Sequence, residues 1–454
     1  MLNGDTSRKA GDRLPVAAYV AVDTGTNVPM AFSAYFMLTF YNDVFRLPAI
    51  AGAITLFIYR VVAACDDLSV GFFISRRIYK RGKYRPYYLW LCVPFAVLTV
   101  LSYYTPGLRD AGKLAYTFVV LLACELTYTF INSATNSLLP HIAAEQDKRV
   151  RINTMKVICS VTAFVLVSVT ARGMLDAFGQ GDERRGYFMT ACVFAALSLA
   201  PHLFAYFNIK EKPYIESVQR KRPIKELLGK ILGNKGILLV VAVYFCFQLG
   251  NGFRDYTIMY YAIYHLGAPQ AISVVIWAGV LPTLPTNMMI PWLLKRGRIE
   301  TWMMVGLVGM AVTGALFVPC GTSLALFLVV RVCHGAFSAL PGNLIFPTVA
   351  LFVDKELREN RENVSELYYT TLSFGYKMGS AFSIGLCMVI MKWTGYQAAS
   401  AVQTAGAVMG IEALFIGGAF AVLAVGALMM AFLIKWMNGN FIGKDVGGKY
   451  AGAQ

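Results

Sequence analysis

Charged residues are scarce in this 454-residue chain: they make up 15% of it, whereas hydrophobic residues make up 57% and the mean hydropathy is +0.56. Acidic residues are the scarcer sign, 25 against 41 lysines and arginines, and the formal net charge is +16. Soluble domains carry about 45–50% apolar and about 25% charged residues. The composition therefore excludes an ordinary soluble protein and indicates a membrane protein.

The chain also lacks the motifs of several enzyme and metal-binding classes. Its nine cysteines show no paired CxxC spacing, so we interpret them as small buried hydrophobic residues. It contains no nucleotide-binding P-loop, no Ser-His-Asp constellation and no metalloprotease helix motif. We therefore expect no enzymatic activity, no cofactor and no ATP-driven step.

Apolar stretches of about twenty residues recur along the chain, each long enough to cross a membrane core of about 30 Å as a helix. They predict about twelve transmembrane helices, at residues 17–43, 48–74, 87–105, 114–139, 152–176, 187–208, 237–264, 270–294, 301–318, 323–352, 367–392 and 411–437. The polar, basic N-terminus shows no cleavage pattern, so we expect the first span to remain in the mature protein. The predicted fold class is an all-α membrane protein.

Basic residues cluster in every second short loop, which the positive-inside rule assigns to the cytoplasm. These loops lie at residues 76–85, 148–151, 210–235 and 295–298. We therefore expect both termini in the cytoplasm, with the chain in a bacterial inner membrane. Because this topology accounts for the positive charge, the expected partners are membrane lipid and a small-molecule solute, with no nucleic acid, and the chain is expected to act as a monomer.

The longest polar interval divides the predicted helices six and six. It predicts an N-terminal six-helix bundle over 1–207, a cytoplasmic linker over 208–236, a C-terminal six-helix bundle over 237–437 and a cytoplasmic tail over 438–454. Two bundles of six joined in this way match the major facilitator superfamily, in which the solute site lies near the bilayer midplane.

Predicted helix two carries three charged residues at membrane depth, where each costs at least a few kcal/mol unless it faces water or a partner. The seven-residue step from Arg60 to Asp67 places both on one face, and Asp66 points about a quarter-turn away. A carboxylate here binds a sodium ion through its oxygens or carries a proton, because burial favours the protonated form. The alternative is a fixed Arg-Asp brace.

Predicted helices one and four carry further polar residues. Asp23 and Asn27 lie one turn apart on helix one. Helix four has an acid, a hydroxyl and two amides at steps of four, three and four residues, which form one polar stripe suited to sugar hydroxyls. The stripe consists of Glu125, Thr129, Asn132 and Asn136. Hydrogen bonding between helices is the alternative interpretation of each amide.

Three cations lie as deep in predicted spans as these acids: Lys156, Arg254 and Lys377. Arg254 has Asp255 beside it as a neutralising partner, whereas Lys156 and Lys377 have no such neighbour in sequence. We interpret His334, with Arg331, as structural.

Five segments resemble a known family: FYNDVFRL, RVVAACDDLSVGFF, RGKYRP, LTYTFINSATNSLLP and VSELYYTTLSFGYKMGSAF. The family is the glycoside-pentoside-hexuronide:cation symporters, and the resemblance covers nearly the whole chain. The RGKYRP loop after an acidic helix two is the most specific segment. The resemblance implies a secondary transporter that imports a sugar together with H+ or Na+.

By position, the resemblance implies that Asp67 and Thr129 bind the coupling cation, with Lys377 near it. The first acid of the family's helix-two pair is Ala63 here, so half of that pair is missing. A sodium ion at Asp67 and Thr129 is one hypothesis. We favour a proton on Asp67, with Asp66, because sodium needs several oxygen ligands. We assign a gating role to Arg60, in addition to the four coupling residues Asp66, Asp67, Thr129 and Lys377.

The predicted solute-binding residues are Asp23, Asn27, Glu125, Asn132, Asn136, Lys156, Arg254 and Lys377. Asn27 and Asn132 replace the two acids that hold a galactoside in related symporters, Thr26 replaces a lysine, and Asn136 replaces a tryptophan. Losing two acids beside Lys156 favours an anionic solute, such as a uronide or sulfonated sugar. A neutral glycoside and a charged amphiphile such as a lysolipid are the alternatives.

Overall fold

The structure is a computed structural model that describes residues 3–76, 84–142, 146–209, 229, 231–360, 365–398, 400 and 402–441. The chain divides into two compact units, Met1–Gln219 and Arg220–Gln454. The first half of the RGKYRP loop (81–83) and most of the predicted linker over 208–236 and of the predicted tail over 438–454 lie outside the described residues. Throughout the described ranges the chain is helical and contains no β-strand.

The first unit contains six helices in the described residues. They are α1 (Asn3–Thr39), which continues as a π-helical turn over Phe40–Val44, α2 (Ala49–Arg76), α3 (Arg85–Leu101), α4 (Asp110–Ile142), α5 (Gln146–Gly179) and α6 (Glu183–Asn208). The Asp182 side chain caps α6 by accepting from the Arg184 N–H at 3.0 Å. Helix α1 packs against α5 and α6, and α2 packs against α4.

The second unit begins with α7 (Lys235–Tyr260), which continues as a π-helical turn over Tyr261–His265. The Asn234 side chain caps α7 by accepting from the Gly236 and Ile237 N–H groups. The later helices are α8 (Ile272–Val280), α9 (Thr283–Leu294), α10 (Ile299–Ala315), α11 (Phe317–Cys320), α12 (Leu324–Asn360), α13 (Ser365–Trp393), α14 (Ala405–Glu412), with a π-helical turn over Ala413–Gly418, and α15 (Ala419–Phe441).

Nine helical segments of the described chain are long and apolar enough to cross a membrane. They are Asp110–Asn136, Met155–Gly179, Glu183–Asn208, Lys235–His265, Pro269–Leu294, Ile299–Cys320, Leu324–Val353, Leu367–Trp393 and Ala405–Asn440. The first three predicted spans are occupied by α1, α2 and the shorter α3. The span predicted over 270–294 is interrupted after Val280, because Pro282 has no N–H to donate to the carbonyl of Ala278.

Each unit has its own apolar core. In the first unit, Phe32 on α1 packs against the rings of Phe36, Tyr103 and Phe194 in tilted and edge-to-face contacts, at ring-centroid distances of 4.6–5.3 Å. Gly25 lets α1 approach α6, since a Cβ there would lie 2.9 Å from Pro201. This packing holds the polar residues of α1 at fixed positions beside α5.

Candidate functional site

A charged pair links α1 and α5 inside the first unit. The Lys156 ammonium lies 3.4 Å from Asp23 Oδ1, and the two side chains are only 12% and 9% exposed. Lys156 also donates to Asn136 Oδ1 on α4 at 2.7 Å. Three of the predicted solute-binding residues, from three helices, therefore meet at one point.

Asn27 extends this cluster along α1. Its amide nitrogen donates to the Asp23 backbone carbonyl at 2.8 Å, to Asp23 Oδ2 at 3.0 Å and to Ser160 Oγ at 3.2 Å. The Ser160 hydroxyl in turn donates to Asp23 Oδ2 in a short contact. We call this cluster the Asp23 network; it comprises Asp23, Asn27, Asn132, Asn136, Lys156 and Ser160, with Asn132 joined through a 3.5 Å contact from Asn136.

The charge balance of the Asp23 network differs from the sequence-based interpretation. Lys156 has no acidic neighbour in sequence, but in the fold Asp23 neutralises it. The free positive charge from which an anionic solute was inferred is therefore absent from this cluster. The polar atoms of this cluster that are still free to bind a ligand belong to amide groups, which suit hydroxyl ligands.

Two charged residues of α2, Asp66 and Arg60, have partners on α4. Asp66 is buried, and the Thr129 hydroxyl lies 3.3 and 3.2 Å from its two carboxylate oxygens. The side chain of Asp67 lies outside the described residues. Arg60 lies 3.7 Å from Glu125, with the two side chains 16% and 9% exposed. Glu125 is thus engaged by Arg60, although it belongs to the same predicted stripe as Asn132 and Asn136.

Arg254 is completely buried in the second unit, at 0% exposure. It donates to His334 Nε2 at 2.8 Å and to the Phe415 carbonyl at 3.3 Å. The Thr313 hydroxyl donates its proton to the Gly309 carbonyl at 2.7 Å, so it accepts from His334 Nδ1 at 2.9 Å. These hydrogen bonds hold Arg254 inside the bundle of the second unit, where its side chain is fully buried.

Asp255 pairs with Arg331 at 3.8 Å. The sequence suggested Arg254 as its partner, but successive helix residues point about 100° apart, and Arg331 on α12 lies on the Asp255 side. Lys377, the remaining predicted cation, lies on α13 with 8% exposure. His334 and Arg331 are thus both engaged in contacts within the bundle.

Gly314 provides the space that Arg254 occupies. A Cβ at this position would collide with Arg254 Nη2. We expect Gly314→Ala to destabilise the protein by about 1–3 kcal/mol through overpacking, and thermal unfolding in detergent should show a lower Tm. Gly417→Ala is the matched control in the same unit, because nothing lies within 4 Å of its added Cβ. Equal Tm values for the two variants would contradict this packing.

Sequence comparison adds family information to this geometry. A family model described as MFS/sugar transport protein matches residues 18–435. The isoprimeverose transporter of Lactiplantibacillus pentosus is 25% identical over 402 residues, covering 87% of this chain and 83% of the relative. An inner membrane symporter of Escherichia coli (strain K12) is 23% identical over 390 residues, covering 84% of this chain and 82% of the relative.

A structural comparison agrees at the level of the fold. A solved bacterial homologue of the human drug peptide transporters superposes with a TM-score of 0.67 at 10% identity, covering 94% of this chain and 99% of the other. At that identity the likeness concerns the fold alone.

Proposed function

Because the chain belongs to the MFS/sugar transport protein family of the major facilitator superfamily, we propose that it is a secondary active symporter that carries a sugar or sugar derivative together with a cation. The protein exposes its solute site first to one side of the membrane and then to the other. The membrane is the bacterial inner membrane, and both termini are cytoplasmic.

The Asp23 network is the observation that carries this proposal. It places an ion pair and three amides from three helices at membrane depth, where polar groups persist mainly if they face a wet cavity or each other. Asn27 Oδ1 and Asn132 Nδ2 have no hydrogen bond inside the network. The Asn27 oxygen is therefore open to accept a hydrogen bond from a solute, and the Asn132 NH2 group is open to donate one. Such mixed groups match sugar hydroxyls, which both donate and accept.

The charge balance favours a neutral glycoside over a uronide or sulfonated sugar. Lys156 and Asp23 cancel each other, and Arg254 is shielded by its own unit. An anionic solute would leave the Asp23 carboxylate facing a like charge. The relatives are named for both kinds of solute, one an isoprimeverose transporter and another a putative sulfoquinovose importer of Salmonella typhimurium, so the choice rests on the charge balance.

The acids of α2 supply the coupling site in this proposal. Asp66 offers two carboxylate oxygens to Thr129, and Asp67 follows it as the acid that the resemblance assigns to the cation. We favour the proton as the coupling ion, since a carboxyl that binds a proton needs no further oxygen ligands. The resemblance assigns Lys377 a role in coupling as well. The pair of Arg60 and Glu125 acts as the gate that closes with the transport cycle.

Uptake by proteoliposomes tests the solute and the ion together. The panel consists of isoprimeverose, a methyl glucuronide, sulfoquinovose and a lysophosphatidylcholine, each under an imposed proton or sodium gradient. We expect isoprimeverose to accumulate under the proton gradient, and the two anionic sugars to accumulate less. Preferred uptake of an anionic sugar would overturn the neutral-solute assignment. Transport of the lysolipid alone would replace sugar symport by amphiphile transport.

A further inference from the structure

Two asparagines of the second unit meet between α9 and α12. Asn343 Nδ2 donates to Asn287 Oδ1 at 2.7 Å and to the Ala339 carbonyl at 3.0 Å. Both side chains are partly buried. Neither residue belongs to the solute site predicted from the sequence.

The carbonyl of Ala339 fixes the orientation of both amides. A carbonyl only accepts, so the Asn343 atom that faces it is the NH2 group, and its two protons are used by Ala339 and Asn287. Asn287 therefore turns its oxygen toward Asn343. Among the described residues, the oxygen acceptor of Asn343 and the NH2 donor of Asn287 have no hydrogen-bond partner.

Each asparagine also precedes a proline by four residues, in NMMIP over 287–291 and NLIFP over 343–347. A proline has no N–H, so the carbonyls of Asn287 and Asn343 lack their usual helical donor. Two helices thus weaken their backbone hydrogen bonding at the point where their amides meet. Freed carbonyls at membrane depth are tolerated where they line a wet cavity or lie buried in protein.

The position of Asn287 on α9 separates it from the apolar exposed face. Met288 and Met289 are 74% and 49% exposed, as expected of side chains that contact lipid. Asn287 points about 100° away from Met288 on the helix, toward α12. It lies seven residues before the end of the membrane-spanning segment Pro269–Leu294, hence roughly 10 Å inside it.

We propose that Asn287 and Asn343 form a hydroxyl-binding site for the sugar within the second unit; this rests on the proposed sugar transport. One open acceptor and one open donor match the two roles of a sugar hydroxyl. The same pair disfavours a cation, because the outward NH2 group of Asn287 carries positive partial charge. A purely structural amide pair needs neither the open atoms nor the two freed carbonyls.

The first test measures water access and does not depend on transport. We expect Asn287→Cys to react with a charged methanethiosulfonate reagent in membranes, because thiolates form in water, whereas Met288→Cys stays unreactive in lipid. Peptide mass spectrometry separates the introduced thiol from the native cysteines. An unreactive thiol at position 287, or equal labelling at both positions, would overturn the proposal even if the protein carries sugars.

The second test separates recognition from helix packing. Asn287→Asp keeps an oxygen acceptor for Asn343 but replaces the open donor. We expect it to raise the KM for isoprimeverose uptake about tenfold with little change in maximal rate, in line with one lost solute hydrogen bond. The control, Tyr256→Phe, removes a buried inter-helix hydrogen bond to Ser380 and should leave KM unchanged.

These tests distinguish the subsite from the symport proposal. If the wild type does not carry isoprimeverose, the KM measurement uses the panel sugar that it does carry. A wild-type KM in Asn287→Asp, with wild-type amounts of folded protein, would reduce the amide pair to a packing contact. Absence of all sugar uptake, with Asn287→Cys still labelled, would overturn the symport proposal and leave a water-facing amide pair.

Discussion

Replacing Asp66 with asparagine should abolish accumulation of solute against its gradient while sparing solute exchange. The amide retains the shape of the side chain and an oxygen for the Thr129 hydroxyl, but it neither binds a proton nor carries the charge that a cation neutralises. Uphill uptake should fall to simple equilibration. The measurement compares gradient-driven uptake with counterflow in the same proteoliposomes.

Asp110→Asn is the matched control for this prediction. Asp110 is an exposed acid in the first turn of α4, away from Thr129, so its neutralisation should leave accumulation unchanged. The resemblance predicts the same loss for Asp67→Asn as for Asp66→Asn. Full accumulation by Asp66→Asn would remove this residue from the coupling site.

Replacing Lys156 with methionine should have the second large effect. The substitution leaves the Asp23 carboxylate 9% exposed and without its cation, and breaking such a buried pair costs about 3–5 kcal/mol. We expect little folded protein and no measurable uptake. Size-exclusion chromatography in detergent and isoprimeverose uptake would measure the two losses separately.

Adding Asp23→Asn to Lys156→Met should restore folded protein, because the double variant no longer contains an unpaired charge. Solute binding by the double variant should stay weak, since the network has lost its fixed geometry.

The same variants test the charge of the solute when uptake of two sugars is compared. A greater loss of uptake for sulfoquinovose than for isoprimeverose would show that Lys156 contacts an anion. Equal losses of uptake for the two sugars would agree with a Lys156 that is neutralised by Asp23. A double variant no better folded than Lys156→Met would contradict the ion pair.

Much of the architecture was predictable from composition. Long apolar runs predicted an all-α membrane protein, and the helix-two and helix-four segments predicted the family; both predictions are confirmed. Hydrophobicity specifies a membrane helix because every backbone polar group must be satisfied within lipid. The domain boundaries and the roles of the site residues stay predictions.

The contacts between helices were harder to predict, because they depend on how each helix is rotated against its neighbours. Asp23 is 133 residues away from Lys156 in sequence, and nothing local links them. Ser160 was missed, although it follows Lys156 by one helical turn and so shares its face. The Asn287 and Asn343 pair left a trace in sequence, the repeated spacing of an asparagine four residues before a proline.

Helix rotation also explains the exchanged partners. Neighbouring residues such as Arg254 and Asp255 point about 100° apart, so adjacency in sequence does not pair them. Arg331 on α12 takes Asp255, and Arg254 turns inward to His334. Glu125 likewise pairs with Arg60 on the neighbouring helix rather than with its own stripe.

Cation movement driven by the solute alone tests symport most directly. Proteoliposomes with no imposed gradient would carry a pH-sensitive dye, and isoprimeverose would be added outside. We expect acidification of the lumen by wild-type protein and none by Asp66→Asn, while both proteins exchange labelled isoprimeverose. Solute entry into wild-type vesicles without movement of protons or sodium would contradict cation-coupled symport.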